Sequence, residues 1–169
     1  VRPRDRWRGN QRLDLVIDYI TYVFVPVLAL LQAGFLRGTA GLLLACSILM
    51  SSLYHFSDTE SKADDSSFVG FPAIWNAVAF HVFALGLSPA ATAIVVFVLV
   101  LLTFVPLKWA HPLRTPVARP LSLAVAAIWT AACLWVLWSG FPASWPAHAL
   151  LLACTTYAAS LTAYLGLVR

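Results

Sequence analysis

Two aspartates, Asp14 and Asp18, stand four residues apart at the start of the first long apolar stretch of the chain. On a helix this spacing puts both carboxylates on one face, with Cβ atoms about 5–6 Å apart. Paired carboxylates suit Mg²⁺ or Mn²⁺, so the spacing allows a divalent-metal site. The alternative is that both are helix-start acids, stabilised by the positive helix end and by Arg8 and Arg12. Spacing alone leaves both interpretations open.

The elements that would position this pair follow from composition. Of 169 residues, 61% are hydrophobic and 11% are charged, whereas soluble domains devote about a quarter of their residues to charge. A soluble fold of this size could not bury so much apolar surface. We therefore predict an all-α, polytopic transmembrane helix bundle that forms a single domain. With roughly 20 apolar residues needed per crossing, about six spans are expected: about 13–36, 39–56, 69–87, 90–106, 118–139 and 146–167.

The positive residues predict an orientation, because Lys and Arg are enriched in cytoplasmic loops. Ten of the eleven lie inside if both termini are cytoplasmic, and Arg37 is the exception. The net charge of +4 then reflects topology and attraction to anionic lipids, so membrane lipids are expected partners and nucleic acid is not. Three cysteines (Cys46, Cys133 and Cys154) lack metal-type spacing.

Three ordered segments carry a resemblance to a known family. Residues 14–26 read DLVIDYITYVFVP, residues 62–76 read KADDSSFVGFPAIWN, and Phe104-Val105-Pro106 is followed by HPLR at 111–114. Together they resemble bacterial phosphatidylcholine synthases, within the CDP-alcohol phosphotransferase family. The hallmark of that family is DxxDGxxAR followed by GxxxDxxxD, and Asp14 and Asp18 match its last two aspartates. The DxxDGxxAR half is absent, and Asn10 stands where the family has glycine.

The resemblance implies a membrane enzyme that condenses CDP-diacylglycerol with choline to give phosphatidylcholine and CMP, in the inner membrane of a bacterium. It implies that Asp14 is a metal ligand for Mn²⁺ or Mg²⁺. Asp18 would be the general base and also lie near the metal. Two further spans are expected upstream, and with half of the four-aspartate set residues 1–169 alone are expected to be inactive.

Four further residues are candidates for substrate binding, each with a structural alternative. Tyr22 continues the face of Asp14 and Asp18 and could hold the choline ammonium by a cation–π contact, or belong to the interfacial aromatic belt. Trp75 is the second choice for that role. Asn76 could hold a polar substrate group or bond to a neighbouring helix, and Arg114 could contact a phosphate or anchor the loop. For the assembly of the protein, a homodimer is the expectation.

Two other functions compete with this interpretation: a small ion-coupled transporter that uses Asp14 and Asp18 as a relay, and a structural subunit of a membrane complex. A transporter would place its ionisable residues near the bilayer midplane, on broken helices in related halves. This chain keeps its acids near one surface and shows no internal repeat, which favours chemistry at the interface.

Overall fold

The computed structural model describes residues 13–57, 68–109 and 117–167. Six helices account for most of them: α1 Leu13–Gln32, α2 Gly38–Ser57, α3 Trp75–Leu85, α4 Pro89–Thr103, α5 Arg119–Ser139 and α6 Trp145–Leu167. A two-residue antiparallel ladder joins β1 (Phe68–Val69) to β2 (Lys108–Trp109). The predicted all-α polytopic bundle is confirmed.

Helices α1, α2, α5 and α6 are long and apolar enough to cross a membrane. Only 17–28% of each 18-residue window is buried inside the protein, so most of their apolar side chains face outward, as in a protein that has lipid as its solvent. Helices α3 and α4 are apolar but shorter, with 11 and 15 residues. At 1.5 Å per residue they reach about 16 and 22 Å, less than the roughly 30 Å of hydrocarbon.

Two buried clusters hold the helices together. The larger is built from α1 to α4 and the segment before α3, and it includes Val23, Leu30, Ile48, Trp75 and Val96. The smaller joins the end of α3 to α5 and α6 through small side chains that let helices approach closely: Ala84, Ala132, Ala143 and Ala147, with Val136 and Leu151.

The first residues of the predicted third span are irregular rather than helical, with positive φ at Gly70 and Ala73, and α3 begins only at Trp75. Gly70 N–H donates to Leu107 O (2.9 Å) and Phe71 N–H to Leu102 O (3.1 Å), so these donors are taken by the end of α4 and the residues after it. A Cβ on Gly70 would lie 2.4 Å from Thr103 O, and its φ is +79°. Because Gly70, Phe71 and Ala73 are buried, this non-helical backbone is covered by protein, as a membrane requires.

The C-terminal end of α3 is closed by polar groups from the α5–α6 connection and from α6. Ala84 O accepts from Ala143 N–H (2.8 Å) and contacts His148 Nε2 (2.7 Å). One turn earlier in α3, His81 Nδ1 lies 2.8 Å from Ala77 O of the same helix, and His81 Nε2 lies 3.0 Å from Thr155 Oγ1 of α6. Interhelical hydrogen bonds, such as those of Ala84 O and His81 Nε2 with α6, contribute about 0.6 kcal/mol each on average in membranes. They fix α3 against α6.

Arg37, the positive residue predicted outside, caps the end of α1. Its Nε–H donates to Gly34 O (2.6 Å) in the turn that follows the helix, and Gly34 adopts the left-handed conformation (φ +76°) typical of helix C-termini. A cation there also interacts favourably with the negative end of the helix.

Helix α1 changes geometry in its middle. Residues Ile20–Phe24 form one π-helical turn, and Val25 N–H donates to Ile20 O, five residues back. Pro26 follows directly and is buried. Single π turns of this kind are rare and occur often at functional sites.

Candidate functional site

The acidic pair lies on the first two turns of α1, N-terminal to the π turn. Asp14 is exposed and Asp18 is half-buried, and their four-residue spacing on α-helix keeps both carboxylates on one side. Among the residues that the structure describes, no group of three or more His, Cys, Asp or Glu could hold a metal ion. A pair still fits Mg²⁺, which usually binds one or two carboxylates and completes its shell with water and substrate phosphates. The donors present therefore fit one side of a divalent-cation site.

Tyr19, the residue after Asp18, ties this part of α1 to α2. Its hydroxyl donates to Leu49 O (2.9 Å), and its ring packs edge-on against Phe56 with centroids 6.0 Å apart. No local sequence pattern predicts this contact, because the partner carbonyl is 30 residues away. The contact fixes the rotation of α1 beside the carboxylates.

An apolar groove of about 310 Å³ opens between the first half of α1 and the end of α2. It begins within one residue of Asp14 and Asp18, and its lining is almost wholly apolar: Leu15, Val16, Tyr19, Ile20, Leu53, Phe56 and Ser57. The acidic pair and this apolar groove therefore lie at the same end of α1, on different faces of its first two turns.

Tyr22 lies one turn beyond Asp18, inside the π turn, and its side chain is 41% exposed. An exposed tyrosine ring close to carboxylates is available to a cationic group. Its predicted role in binding choline stays a prediction.

Trp75 is buried inside the protein, whereas a substrate contact needs an accessible ring. Its side chain is 0% exposed, its ring packs against Phe71 with centroids 5.2 Å apart, and its Nε1–H donates to Ser52 Oγ (2.9 Å). The ring faces and the one polar atom are thus engaged within the protein. Asn76 is exposed at the second position of α3, whereas Arg114 lies outside the described residues.

The fold and the acidic pair define a class: a polytopic α-helical membrane protein with paired carboxylates at one end of its first described helix. Comparison with known proteins narrows the class. The chain is 44% identical over 137 residues to a phosphatidylcholine synthase of Bradyrhizobium diazoefficiens, covering 81% of this chain and 50% of that protein. It is 39% identical over 131 residues to that of Rhizobium meliloti (78% and 54%) and 38% over 150 residues to that of Rhizobium johnstonii (89% and 61%).

The chain is therefore a homologue of the bacterial phosphatidylcholine synthases, and the predicted resemblance is confirmed. It spans about half to three-fifths of the length of these relatives. No family model matches it, and no solved structure matches it.

Proposed function

We propose that this protein is a phosphotransferase of phospholipid biosynthesis that condenses CDP-diacylglycerol with choline, giving phosphatidylcholine and CMP. The observation that carries the proposal is its similarity, over four-fifths of its length, to proteins named phosphatidylcholine synthase. The presence of the acidic pair and an apolar groove at the same end of α1 supports it, because the lipid substrate joins a charged diphosphate to acyl chains. The relatives give no support to an ion-coupled transporter.

Asp14 and Asp18 would hold the divalent cation, Mn²⁺ or Mg²⁺, on the cytoplasmic side. When bound, such a cation neutralises the diphosphate and stabilises the leaving nucleotide. The Asp18 carboxylate accepts the proton of the choline hydroxyl. The hydroxyl oxygen then forms a bond to the phosphatidyl phosphorus, and the bond from that phosphorus to the oxygen of CMP breaks. Since the relatives are longer than the aligned stretch, we expect the remaining metal ligands in the part of the family sequence that this chain does not span.

Tyr22 is the proposed contact for the quaternary ammonium, which cannot donate hydrogen bonds. A ring face supplies about 0.5–2 kcal/mol to such a cation, and Tyr22 is exposed one turn from Asp18. Trp75 is the second choice for this contact, and its burial and its bond to Ser52 favour Tyr22. Asn76 is proposed for a polar substrate group and Arg114 for a phosphate oxygen.

The proposed location is the bacterial inner membrane, with both termini in the cytoplasm. Single-cysteine labelling tests the orientation: positions 57 and 115 should react from the cytoplasmic side, and positions 38 and 144 from the opposite side. Reaction of both groups from one side would contradict the topology.

The activity is tested by replacing Asp14 or Asp18 with Asn in the complete gene product that contains this chain. Each change should lower choline-dependent release of CMP by at least about 100-fold, since a positioned base alone contributes about 10²–10⁴-fold. Insertion should survive, because neutralising a carboxylate lowers its cost in the membrane. Asp5→Asn makes the same change of charge among the arginines that precede α1 and should leave the rate unaltered. Near-normal activity of either site variant would remove the metal-site proposal.

A further inference from the structure

The π turn Ile20–Phe24 separates the acidic pair from the part of α1 that packs in the core. Val27 and Leu30 lie on the regular helix that follows the π turn and are 0–2% exposed. Their direction therefore defines the inward side of α1.

Helix geometry shows where a regular helix would put Asp18. Successive residues rotate by about 100°, so the nine residues from Asp18 to Val27 and the twelve to Leu30 would turn Asp18 about 150° away from the middle of this face, towards lipid. A π turn holds one extra residue, which rotates everything before it by about 100°. Asp18 then lies about 50° from the middle of the buried face.

The burial of Asp18 agrees with the rotated arrangement. Asp18, which a regular helix would turn outward, is half-buried, whereas its neighbours Val16, Ile17 and Ile20 are 45–55% exposed. Tyr19, which either geometry keeps on the protein side, reaches α2 through its bond to Leu49 O.

Pro26 supplies the reason for the π turn. A proline inside a helix cannot donate to the carbonyl four residues back, and its ring collides with that carbonyl, here that of Tyr22. Widening the preceding turn, where Val25 N–H reaches Ile20 O, accommodates the ring without breaking the helix.

We infer that Pro26 is a positioning residue, and that the π turn it imposes rotates Asp18 from the lipid side of α1 to the protein side. The effect on catalysis rests on the proposed function, whereas the rotation itself does not. Replacing Pro26 by Ala lets residue 26 donate to Tyr22 O and lets Val16 and Ile20 turn inward, so the helix becomes regular.

The test compares Pro26→Ala with the same change plus deletion of Ile20, which removes the extra residue and returns Asp18 to its original direction in a regular helix. In the complete gene product Pro26→Ala should lower the rate of CMP release about 100-fold, as a misplacement of about 1 Å can. It should also raise the half-saturating Mn²⁺ concentration about tenfold. The deletion should restore both to within about fivefold. Pro120→Ala, in the first turn of α5, is the matched control and should change neither.

Helix rotation is measured without activity by cross-linking cysteines at positions 19 and 56 with a short bis-maleimide, after the three native cysteines are replaced by Ala. The native rings at these positions are 6.0 Å apart. Cross-linking should fall in Pro26→Ala and return with the deletion.

Retention of the cross-link in Pro26→Ala, whether activity is kept or lost, would overturn the inference. A folded deletion variant that recovers neither the cross-link nor the rate of CMP release would overturn it too. If the deletion variant does not insert, cross-linking of Pro26→Ala decides. An active Asp18→Asn variant would refute the proposed role of Asp18 in catalysis. The cross-linking result would still test the rotation of α1 independently.

Discussion

Removing the hydroxyl of Ser52 tests how α2 and α3 are joined. Ser52 Oγ accepts from Trp75 Nε1–H at 2.9 Å, and both side chains are buried. In Ser52→Ala the indole N–H keeps its burial and loses its acceptor. An unsatisfied buried donor costs about 1–3 kcal/mol, and measured interhelical bonds in membranes reach at most about 1.7 kcal/mol. We therefore expect a loss of about 1–2 kcal/mol.

Thermal unfolding of the purified protein in a mild detergent measures this loss. For a chain of this size each kcal/mol lowers Tm by about 2–4 °C, so Ser52→Ala should unfold about 2–8 °C below the parent. The neighbouring Ser51 is a matched control, since it is also buried but its hydroxyl donates to Ile48 O in its own helix (3.2 Å). Ser51→Ala should shift Tm by less than about 2 °C.

A double-mutant cycle assigns the effect to the bond. In a Trp75→Phe background the donor is gone, so Ser52→Ala should cost close to nothing. Equal shifts for the Ser51 and Ser52 variants, or a Ser52 effect that persists without Trp75, would refute the reasoning.

Two further changes give distinct outcomes. Tyr22→Leu should raise KM for choline several-fold and leave KM for CDP-diacylglycerol nearly unchanged, because only the ammonium loses a partner; equal effects on both would mean that the ring supports packing. Gly70→Ala should lower stability by about 2–4 kcal/mol in thermal unfolding, since its Cβ would meet Thr103 O at 2.4 Å at a positive φ. Gly38→Ala, at φ +62° with nothing within 4 Å, should cost about 1 kcal/mol, and equal losses would contradict the steric argument.

The helical bundle could be predicted from the sequence because a membrane leaves the backbone few choices: in hydrocarbon each polar group must be paired within the segment. The late start of α3 could not be predicted. Pro72 is compatible with a first helical turn, and the irregular backbone before Trp75 depends on carbonyls at Leu102 and Leu107, which no local pattern reveals.

The candidate site, like the fold, could be predicted from the sequence only in part. The spacing of Asp14 and Asp18 predicts that they share a helix face. Local helix geometry is enough for this prediction, since both residues precede the π turn. Their direction relative to the rest of the bundle depends on the π turn, and Pro26 in an apolar run signals only a disturbance. The engagement of Trp75 depends on Ser52, 23 residues earlier, so the sequence left its role open.

The closed end of α3 bears on the order in which the chain enters the membrane. Ala84 is synthesised well before its two partners, since His148 follows it by 64 residues and Ala143 comes only shortly before His148. Until those residues emerge, the last turn of α3 would present a bare carbonyl to hydrocarbon, at a cost of several kcal/mol. With 11 residues, α3 is also too short to place both ends in the head-group layers. We expect α3 to wait near the interface or inside the insertion machinery during translation, and to reach its final depth when α6 arrives.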